Sequence, residues 1–401
     1  MAPAPDFYVH SFRKIVLSDA FYAEGATFGD LNRDGVIDVV AGPFWYEGPD
    51  FRKRHEYYPA KVFDPEGYSD NFFAFVHDFD RDGWNDILII GFPGKDASWY
   101  ENPGASNDGW LRHVVFEGVD NESPTWTDLT GDGKPEIVCI SGGRYGYVEP
   151  DWQQPTHRWT FRPITPDGGW QQFTHGLGVG DVNGDGRKDL LEKNAWWEQP
   201  APSSGGQPWE RHPAEFGDGG AQMYAYDIDG DGDNDVVTSL KAHGYGLAWF
   251  EHVRDAGRTG FIRHVIMNER PGENRYGIAF SQLHAVELVD MDADGVQDIV
   301  TGKRFWAHGA RGDPEPNAPA LIYWFRVVRG GQDGEIDFVP YLVDDDSGVG
   351  VQLVAGDVNG DGLADLVTSN KKVTAVLIHE RKKVDRRAYE AAQPRPRNGP
   401  R

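Results

Sequence analysis

An acidic nine-residue phrase occurs seven times in this chain and constrains its fold more than any other feature. Each copy reads Asp-x-Asp/Asn/Thr-x-Asp-Gly-x-x-Asp/Glu and is followed by a largely apolar run. The copies begin at Asp30, Asp78, Asp128, Asp181, Asp227, Asp290 and Asp357. A turn followed by a strand, repeated about every fifty residues, is typical of a β-propeller, because one blade cannot bury its own face. We therefore predict an all-β, seven-bladed propeller of four-stranded blades that occupies residues 1–383.

The two ends of the chain complement each other. Residues 7–17 resemble the outermost strand of a blade, although they precede the first innermost strand, and the seventh repeat has no outermost strand of its own. We predict that residues 7–17 pair with the strand at 373–379 and close the ring, which would cover an exposed sheet edge. Residues 384–401 are basic and rich in Pro, so we predict a mobile tail.

The formal net charge of −25 is concentrated in the repeats, where 24 of the 64 acidic residues stand at the conserved acidic positions of the phrase. Such a charge argues against nucleic acid and anionic membranes as partners. The chain contains no apolar run of the roughly 20 residues that a membrane-spanning helix needs. The N-terminal residues MAPAPDF lack the apolar segment of a signal peptide, so the protein is either cytoplasmic or written here after removal of such a peptide.

The repeated phrases are candidate sites for Ca²⁺ or Mg²⁺, because closely spaced carboxylates suit hard cations. The candidate ligands lie in the fifth and sixth copies, each of which has four carboxylates at these positions: Asp227, Asp229, Asp231, Asp235, Asp290, Asp292, Asp294 and Asp298. The alternative is that these side chains accept hydrogen bonds from their own turn backbone, as Asp and Asn commonly do. Any metal in these turns is expected to be structural.

The opposite face of the propeller carries the candidate chemistry. Six residues before each phrase, at the expected mouth of the central channel, the sequence places Glu24, Glu122, His175 and His284 among apolar residues. A His and carboxylate set suits a divalent transition metal with an open position, Zn²⁺ above all. The connections between the second and third strands add candidate catalytic groups at the same mouth: Lys241, His243, Tyr245, Lys303 and His308.

A mouth lined by aromatic, cationic and amide side chains suits a sugar-sized polyhydroxy ligand. The candidate substrate-binding residues are Arg144, Tyr145, Trp196 and Gln352. Long segments at 268–277 and 310–320 are expected on the same face, and long loops gathered on one face commonly mark the working side of a scaffold.

The phrase and the strand that follows it resemble the FG-GAP/VCBS repeat family over most of the chain. Residues 281–325, together with 39–48 and 240–251, resemble more specifically the propeller domain of aldos-2-ulose dehydratase and its bacterial relatives. That resemblance implies a propeller metal site linked to elimination of water from a keto-sugar, and supports His243, His284 and His308 as pocket residues without dividing them into ligand and base. The cupin domains that follow the propeller in the fungal enzyme are not found in this sequence, so the activity implied ends at the elimination product.

We therefore predict a metal-dependent carbohydrate lyase that performs β-elimination on a keto-sugar such as 1,5-anhydrofructose, glucosone or a 3-keto-glycoside. A non-catalytic, lectin-like propeller is the main alternative, but lectin propellers commonly repeat one sugar pocket in every blade, whereas these polar groups are concentrated once. An adhesion or scaffold protein is a further alternative that would use the turn metals and no central histidines.

Overall fold

The computed structural model of the protein describes residues 6–106, 108–202, 207–255, 258–330 and 335–397. It is an all-β propeller with four-stranded blades, in which each blade is an antiparallel meander whose strands follow in chain order. None of the helices in these ranges is long and apolar enough to cross a membrane.

The first three blades each contain one copy of the phrase, between their first and second strands. The first contains β2 (Ala26–Gly29), β3 (Asp38–Ala41), β4 (Phe44–Tyr46) and β5 (Arg54–Glu56). The second contains β6 (Phe73–His77), β7 (Asp86–Ile90), β8 (Lys95–Glu101) and β9 (Leu111–Val119). The third contains β10 (Thr125–Thr127), β11 (Glu136–Ser141), β12 (Arg144–Glu149) and β13 (Thr160–Pro163).

The next two repeats share one eight-stranded sheet. Its first half contains β14 (Leu177–Gly180), β15 (Asp189–Glu192), β16 (Ala195–Glu198) and β17 (Glu210–Pro213). Its second half contains β18 (Gln222–Tyr226), β19 (Asp235–Ser239), β20 (Leu247–Asp255) and β21 (Arg258–Met267). The prediction of seven separate blades is therefore wrong, since the described residues form five separate four-stranded blades and this fused sheet.

A glycine explains the fusion. The innermost strands β14 and β18 pair in parallel through Leu177 with Gln222 and Gly178 with Met223. A Cβ atom at Gly178 would lie 2.1 Å from the carbonyl oxygen of Met223, so a larger residue would push the two strands apart. The absence of a side chain at this position is what lets the two backbones approach closely.

The last two blades lead back to the N-terminus. One contains β22 (Val286–Val289), β23 (Asp298–Gly302), β24 (Ile322–Val328) and β25 (Asp337–Asp344), and the other contains β26 (Leu353–Gly356), β27 (Asp365–Ser369) and β28 (Thr374–Val384). The strand β1 (Phe7–Ser18) pairs antiparallel with β28, from Phe7 opposite Val384 to Ser18 opposite Thr374. The predicted pairing is thus present and longer than expected, while its role in closing the ring stays a prediction.

The end of the chain contains the only α-helix among the described residues, α1 (Arg386–Ala392). Asp385 caps it by accepting a hydrogen bond from the backbone nitrogen of Ala388 at 2.8 Å. The ring of Tyr389 lies 5.1 Å from that of Phe7, and no residue of the helix is buried. Residues 398–401 of the expected tail lie outside the described residues.

The last acidic residue of each phrase fastens its turn to the sheet. In all seven copies it is buried and accepts a hydrogen bond from the backbone nitrogen of the second residue of the phrase, as Asp298 does from Met291 at 3.2 Å. Because this carboxylate reaches across the turn, the repeated sequence yields the same turn in every repeat. Candidate metal ligands Asp235 and Asp298 are thus engaged by backbone nitrogens.

Candidate metal centre at one end of the propeller

Three histidines meet at the face opposite the repeated turns. His175 and His284 stand two residues before the innermost strands β14 and β22, and His243 lies in the connection between β19 and β20. The ring centroids are 4.9 Å apart for His175 and His243, 4.3 Å for His243 and His284, and 5.5 Å for His175 and His284. One nitrogen from each ring lies within 4.8 Å of the other two. We call these three residues the histidine cluster.

Each ring of the cluster is held at its Nδ1 atom. The carbonyl oxygen of Phe173 lies 2.7 Å from Nδ1 of His175, and that of Gln282 lies 3.4 Å from Nδ1 of His284. A carbonyl only accepts, so each of these Nδ1 atoms carries a hydrogen, and in the neutral ring the lone pair is then on Nε2. Backing of one ring nitrogen by a carbonyl or carboxylate is the usual arrangement of metal-binding histidines.

The two backing residues have an unusual backbone conformation. Phe173 has φ 68° and Gln282 has φ 65°, in the left-handed region that residues other than Gly seldom adopt. Trp306, two residues before His308, has the same left-handed conformation, with φ 56°. Backbone strain of this kind costs on the order of 1–3 kcal/mol per residue and clusters at functional sites. Here it turns the carbonyl groups of Phe173 and Gln282 toward the imidazole two residues later.

The surroundings favour neutral imidazoles, which is the form that binds metals. Burial, followed by the charge of Arg304, holds the pKa of His284 well below its usual value. Burial likewise lowers the pKa of His243. The Nε2 atom of His175 is buried and makes no well-formed hydrogen bond to a described residue. A set of three nitrogen donors with one unsatisfied, buried lone pair fits a divalent transition metal such as Zn²⁺.

The two acids expected as metal ligands bind an arginine instead. Arg304 is 2% exposed and forms ion pairs with both Glu24 and Glu122, the latter at 3.3 Å. Burial acts to raise the pKa of Glu122, but the close approach of His175, together with Arg304, outweighs it and brings the pKa to about 2. Glu122 also lies 3.4 Å from Nε2 of His175. The structure thus brings His243, rather than Glu24, to the two predicted histidines.

His308 lies beside the cluster with a carboxylate behind it. Its ring stacks on that of His243 at 4.4 Å, and its Nδ1 atom lies 2.9 Å from Oδ1 of Asp313. The same oxygen is 3.3 Å from Nδ1 of His243. The side chain of His308 is 50% exposed, whereas that of Asp313 is 4% exposed. Hydrogen bonds from His243 and His308 outweigh burial and hold the pKa of Asp313 well below its usual value.

Of the three remaining candidate catalytic residues, Lys303, Tyr245 and Lys241, only one lines a pocket beside the cluster. Lys303 is fully buried, with Nζ 2.6 Å from Oγ of Ser281, and burial lowers its pKa to about 8. Burial and a hydrogen bond to Glu315 raise the pKa of Tyr245 to about 12. Lys241 alone of the three lines the open pocket beside the cluster.

That pocket, which we call the axial pocket, has a volume of about 410 Å³. Its wall includes His175 and His243 of the cluster, together with Trp170, Gln171, Gln172, Phe173, Lys193, Asp218 and Lys241. An aromatic ring with amide, ammonium and carboxylate groups around it can stack on a sugar ring and hydrogen-bond its hydroxyl groups. Trp170, Gln171 and Asp218 were missed from the sequence, because they lie in blade connections without a repeat pattern.

The four expected substrate-binding residues do not line the axial pocket. Tyr145 is buried, with its hydroxyl 3.4 Å from the carbonyl oxygen of Gly176, and Trp196 stacks on His212 at 4.0 Å. Gln352 bridges two blades by bonding both the nitrogen and the oxygen of Ala74 at 2.9 Å. Arg144 is exposed at the start of β12. The first three are therefore packing residues of the propeller.

The turn carboxylates of the sixth repeat are paired with an arginine. Arg326 contacts Asp292 at 2.6 Å and Asp294 at 2.9 Å, while Asp290 accepts backbone hydrogen bonds from Asp294 and Gly295. In the fifth repeat, Asp227, Asp229 and Asp231 likewise accept hydrogen bonds from turn nitrogens. In both turns the carboxylates accept hydrogen bonds from their own turn backbone, which is the alternative stated above. A cation in these turns remains an expectation.

Comparisons with known proteins bear on the repeats. The FG-GAP-like repeat family matches residues 78–139 and 128–191, and the FG-GAP repeat matches residues 349–376. This chain contains FG-GAP repeats. The matched segments include the acidic phrases at Asp78, Asp128, Asp181 and Asp357, so the FG-GAP turn is the unit that the phrase defines. The resemblance to aldos-2-ulose dehydratase is not confirmed by these comparisons.

No curated protein matches the chain. Among solved structures, BBS1N in complex with ARL6DN, soaked with lead, has a TM-score of 0.46 at 9% identity, and covers 94% of this chain and 98% of that one. Rhamnogalacturonan lyase YesW has a TM-score of 0.42 at 14% identity, and covers 92% of this chain and 72% of that one. Both likenesses are too weak to bear on function.

Proposed function

We propose that this FG-GAP repeat protein is a divalent-metal-dependent carbohydrate lyase that performs β-elimination on a keto-sugar. The observation that carries the proposal is the convergence of three imidazoles: the carbonyl oxygens of Phe173 and Gln282 face Nδ1 of His175 and His284, and Asp313 lies 3.3 Å from Nδ1 of His243. A structural role alone does not account for three histidines gathered in one place beside an open pocket. Three protein ligands with a free position are the usual composition of a catalytic zinc site.

His175, His243 and His284 would hold the ion. Bound there, a divalent cation would polarise a ketone oxygen and thereby acidify the neighbouring C–H bond. Arg304 pairs with Glu24 and Glu122 and balances their charge, so we take the three nitrogens as the donor set. Glu122 lies 3.4 Å from Nε2 of His175 and therefore stands beside the position that the ion would take.

His308 is the proposed general base. Its Nδ1 atom is bound by Asp313, so its Nε2 atom is free to accept a proton, and its exposed side chain stands next to His243. A carboxylate behind an imidazole fixes the tautomer and stabilises the cation formed when the proton is taken. This assigns His243 as ligand and His308 as base, an alternative that the sequence left open.

The axial pocket would bind the sugar. Trp170 offers a face for the sugar ring, while Gln171 and Asp218 offer hydrogen bonds to hydroxyl groups. Lys241 is the one predicted catalytic cation that lines this pocket, and we assign it the protonation of the departing oxygen. Lys303 and Tyr245 instead bind Ser281 and Glu315 and hold the surrounding loops.

We further propose that each half of the eight-stranded sheet counts as one blade, so that seven FG-GAP turns serve seven blades of a ring closed by β1. In such a ring the phrases gather on one face and the histidines on the other. This separates any cation in the turns from the proposed catalytic ion, and chelation experiments should treat the two populations separately.

The test is a spectroscopic assay with 1,5-anhydrofructose, glucosone and a 3-keto-glucoside, each with and without chelator. Elimination next to a ketone forms a conjugated enone that absorbs in the near ultraviolet. We expect an absorbance increase that chelation abolishes and Zn²⁺ restores. Binding of these sugars with no absorbance change across the panel would refute the lyase and leave a sugar-binding propeller.

A further inference from the structure

A second pocket lies on the same face of the propeller, between the first and second blades. We call it the lateral pocket; it has a volume of about 650 Å³. Five aromatic side chains line it: Tyr58, Phe63, Tyr68, Phe92 and Tyr100. Apolar pockets of 300–1,000 Å³ with a few polar groups are the usual sites for small ligands.

The lateral and axial pockets share a wall. Phe92 lines the lateral pocket and Phe173 the axial one, and their ring centroids are 5.4 Å apart. The side-chain amide of Gln172 donates a hydrogen bond to the carbonyl of Pro93, which fixes the two connections together. Phe173 also backs His175 through its carbonyl oxygen, so the pair of Phe92 and Phe173 rings stands between the lateral pocket and the histidine cluster.

A second contact joins the lateral pocket to the His308 loop. The Nζ atom of Lys371 lies 4.3 Å from the ring of Tyr68 and donates to the carbonyl oxygen of Trp306 at 2.9 Å. Tyr68 therefore faces the lateral pocket on one side and packs against the support of the His308 loop on the other. The lateral pocket is thus in contact, through Phe92 and Tyr68, with residues that support His175 and the His308 loop.

The composition of the lateral pocket favours a flat aromatic group. Tyr58 and Tyr100 stack at 5.1 Å, and Tyr68 and Phe92 meet at the same distance on the inner side. Aromatic side chains favour ring ligands, by about 0.5–1.5 kcal/mol per pair beyond the area they bury. At the rim, Lys95 is exposed and has no ion-pair partner among the described residues, so it can bind a phenolic oxygen.

We propose that the lateral pocket binds the aromatic leaving group of an aryl glycoside whose keto-sugar ring occupies the axial pocket. The elimination step in this inference rests on the proposed function, whereas binding of the aromatic group does not. In a 3-keto-glycoside, the proton on C2 passes to His308, its bonding electrons form the C1–C2 double bond, and the C1–oxygen bond breaks. The aromatic alcohol leaves as its oxygen takes a proton from Lys241, the acid assigned above.

The test is calorimetric titration of chelator-treated protein with 4-nitrophenyl β-glucoside and with methyl β-glucoside, neither of which can undergo the elimination. We expect the aryl glycoside to bind on the order of tenfold more tightly, from one or two additional ring contacts. Phe63→Ala and the milder Phe63→Leu should both remove this preference. Val62→Ala is the matched control, because Val62 lies next to Phe63 on the same loop but does not line the pocket.

Equal affinity for the two glycosides, or an aryl preference that survives in folded Phe63→Leu protein, would overturn the aromatic subsite. The preference is measured without metal, so it stands or falls separately from the lyase. Chelator-sensitive elimination from 1,5-anhydrofructose without an aryl preference would refute the lateral subsite alone. An aryl preference without elimination from any keto-sugar would support the subsite and refute the lyase.

Discussion

The Nε2 atoms of His243 and His284 lie 3.4 Å apart. Two nitrogens bound tetrahedrally to one zinc ion at about 2.0–2.1 Å are separated by roughly this distance. A hydrogen bond between the two rings would require a hydrogen on one Nε2 atom, but the carbonyl of Gln282 and the carboxylate of Asp313 face the Nδ1 atoms of His284 and His243 and favour the hydrogen there. The pair is therefore better suited to sharing a cation than to sharing a proton.

The first prediction follows from this pair. His243→Ala and His284→Ala should each reduce the bound transition metal of the purified protein from about one equivalent to a small fraction, measured by elemental analysis. Each change removes one of three ligands and leaves the FG-GAP turns untouched, so circular dichroism should remain that of a β-protein.

His212→Ala is the matched control for metal content. His212 is bound to Glu198 at 2.8 Å and stacks on Trp196 in the outer part of its blade, away from the cluster. It should keep the metal even if it unfolds at a lower temperature. Equal metal loss in all three variants would contradict a site made by the cluster.

The second prediction separates base from ligand. His308→Ala should lower the rate of elimination by ~10²–10⁴-fold, the usual contribution of a general base, with metal content unchanged. Asp313→Asn should lower the rate less, because the imidazole is retained but its tautomer is no longer fixed. Loss of metal from the His308 variant would identify His308 as a ligand and remove it as the base.

Much of the site was predictable from the register of the repeats. His175 and His284 occupy the same position relative to their phrases, and equivalent positions in a propeller meet around one axis, so their proximity follows from the repeat. Arg304 was missed because the connection that contains it follows no repeat, and two neighbouring acids then appeared available to a metal. Asp313 lies in a long segment that was expected on this face, but the path of such a segment is set by its own local contacts.

The count of separate blades was less predictable. The phrase predicts one turn per repeat, and that holds for all seven copies. Whether two innermost strands also pair with each other depends on how closely their backbones approach. Gly178 permits that approach between β14 and β18. It lies outside the phrase, so the repeat pattern does not predict this pairing.

The third prediction concerns β1. Deleting residues 1–17 should lower Tm by more than about 10 °C or abolish cooperative unfolding, because it leaves β28 as an exposed edge. Truncation after Val384 is the control, since it removes α1, of which no residue is buried; it should lower Tm by only a few degrees. If the two truncations had similar effects, β1 would not close the ring.

The fourth prediction is that stability falls as the pH rises above about 6.5. Burial raises the pKa of Asp86 and Asp298 to about 8, so their contribution is complete below the unfolded value of about 4 and is lost as the pH rises through 8. Burial lowers the pKa of His10 and His379 to about 4, so their contribution is present above about 6.5 and is lost as the pH falls toward 4.

Urea unfolding between pH 4 and 9 measures this profile. Asp86→Asn should be less stable throughout. The two oxygens of Asp86 accept hydrogen bonds from the backbone nitrogens of Phe79 and Asn102, and the NH2 group of Asn is a donor that would face one of these donors. Its stability should nevertheless fall less steeply from pH 6 to pH 9, since one titrating group is gone. A free energy of unfolding that rises steadily toward pH 9 would contradict the assignment.

The most direct measurement is anomalous X-ray diffraction from crystals of the zinc-loaded protein. We expect a single strong peak at the mouth of the channel, about 2.1 Å from the Nε2 atoms of His175, His243 and His284, with Glu24 and Glu122 still bound to Arg304. A peak only in the FG-GAP turns, or an ion bound by Glu24 or Glu122 in place of His243, would contradict the account.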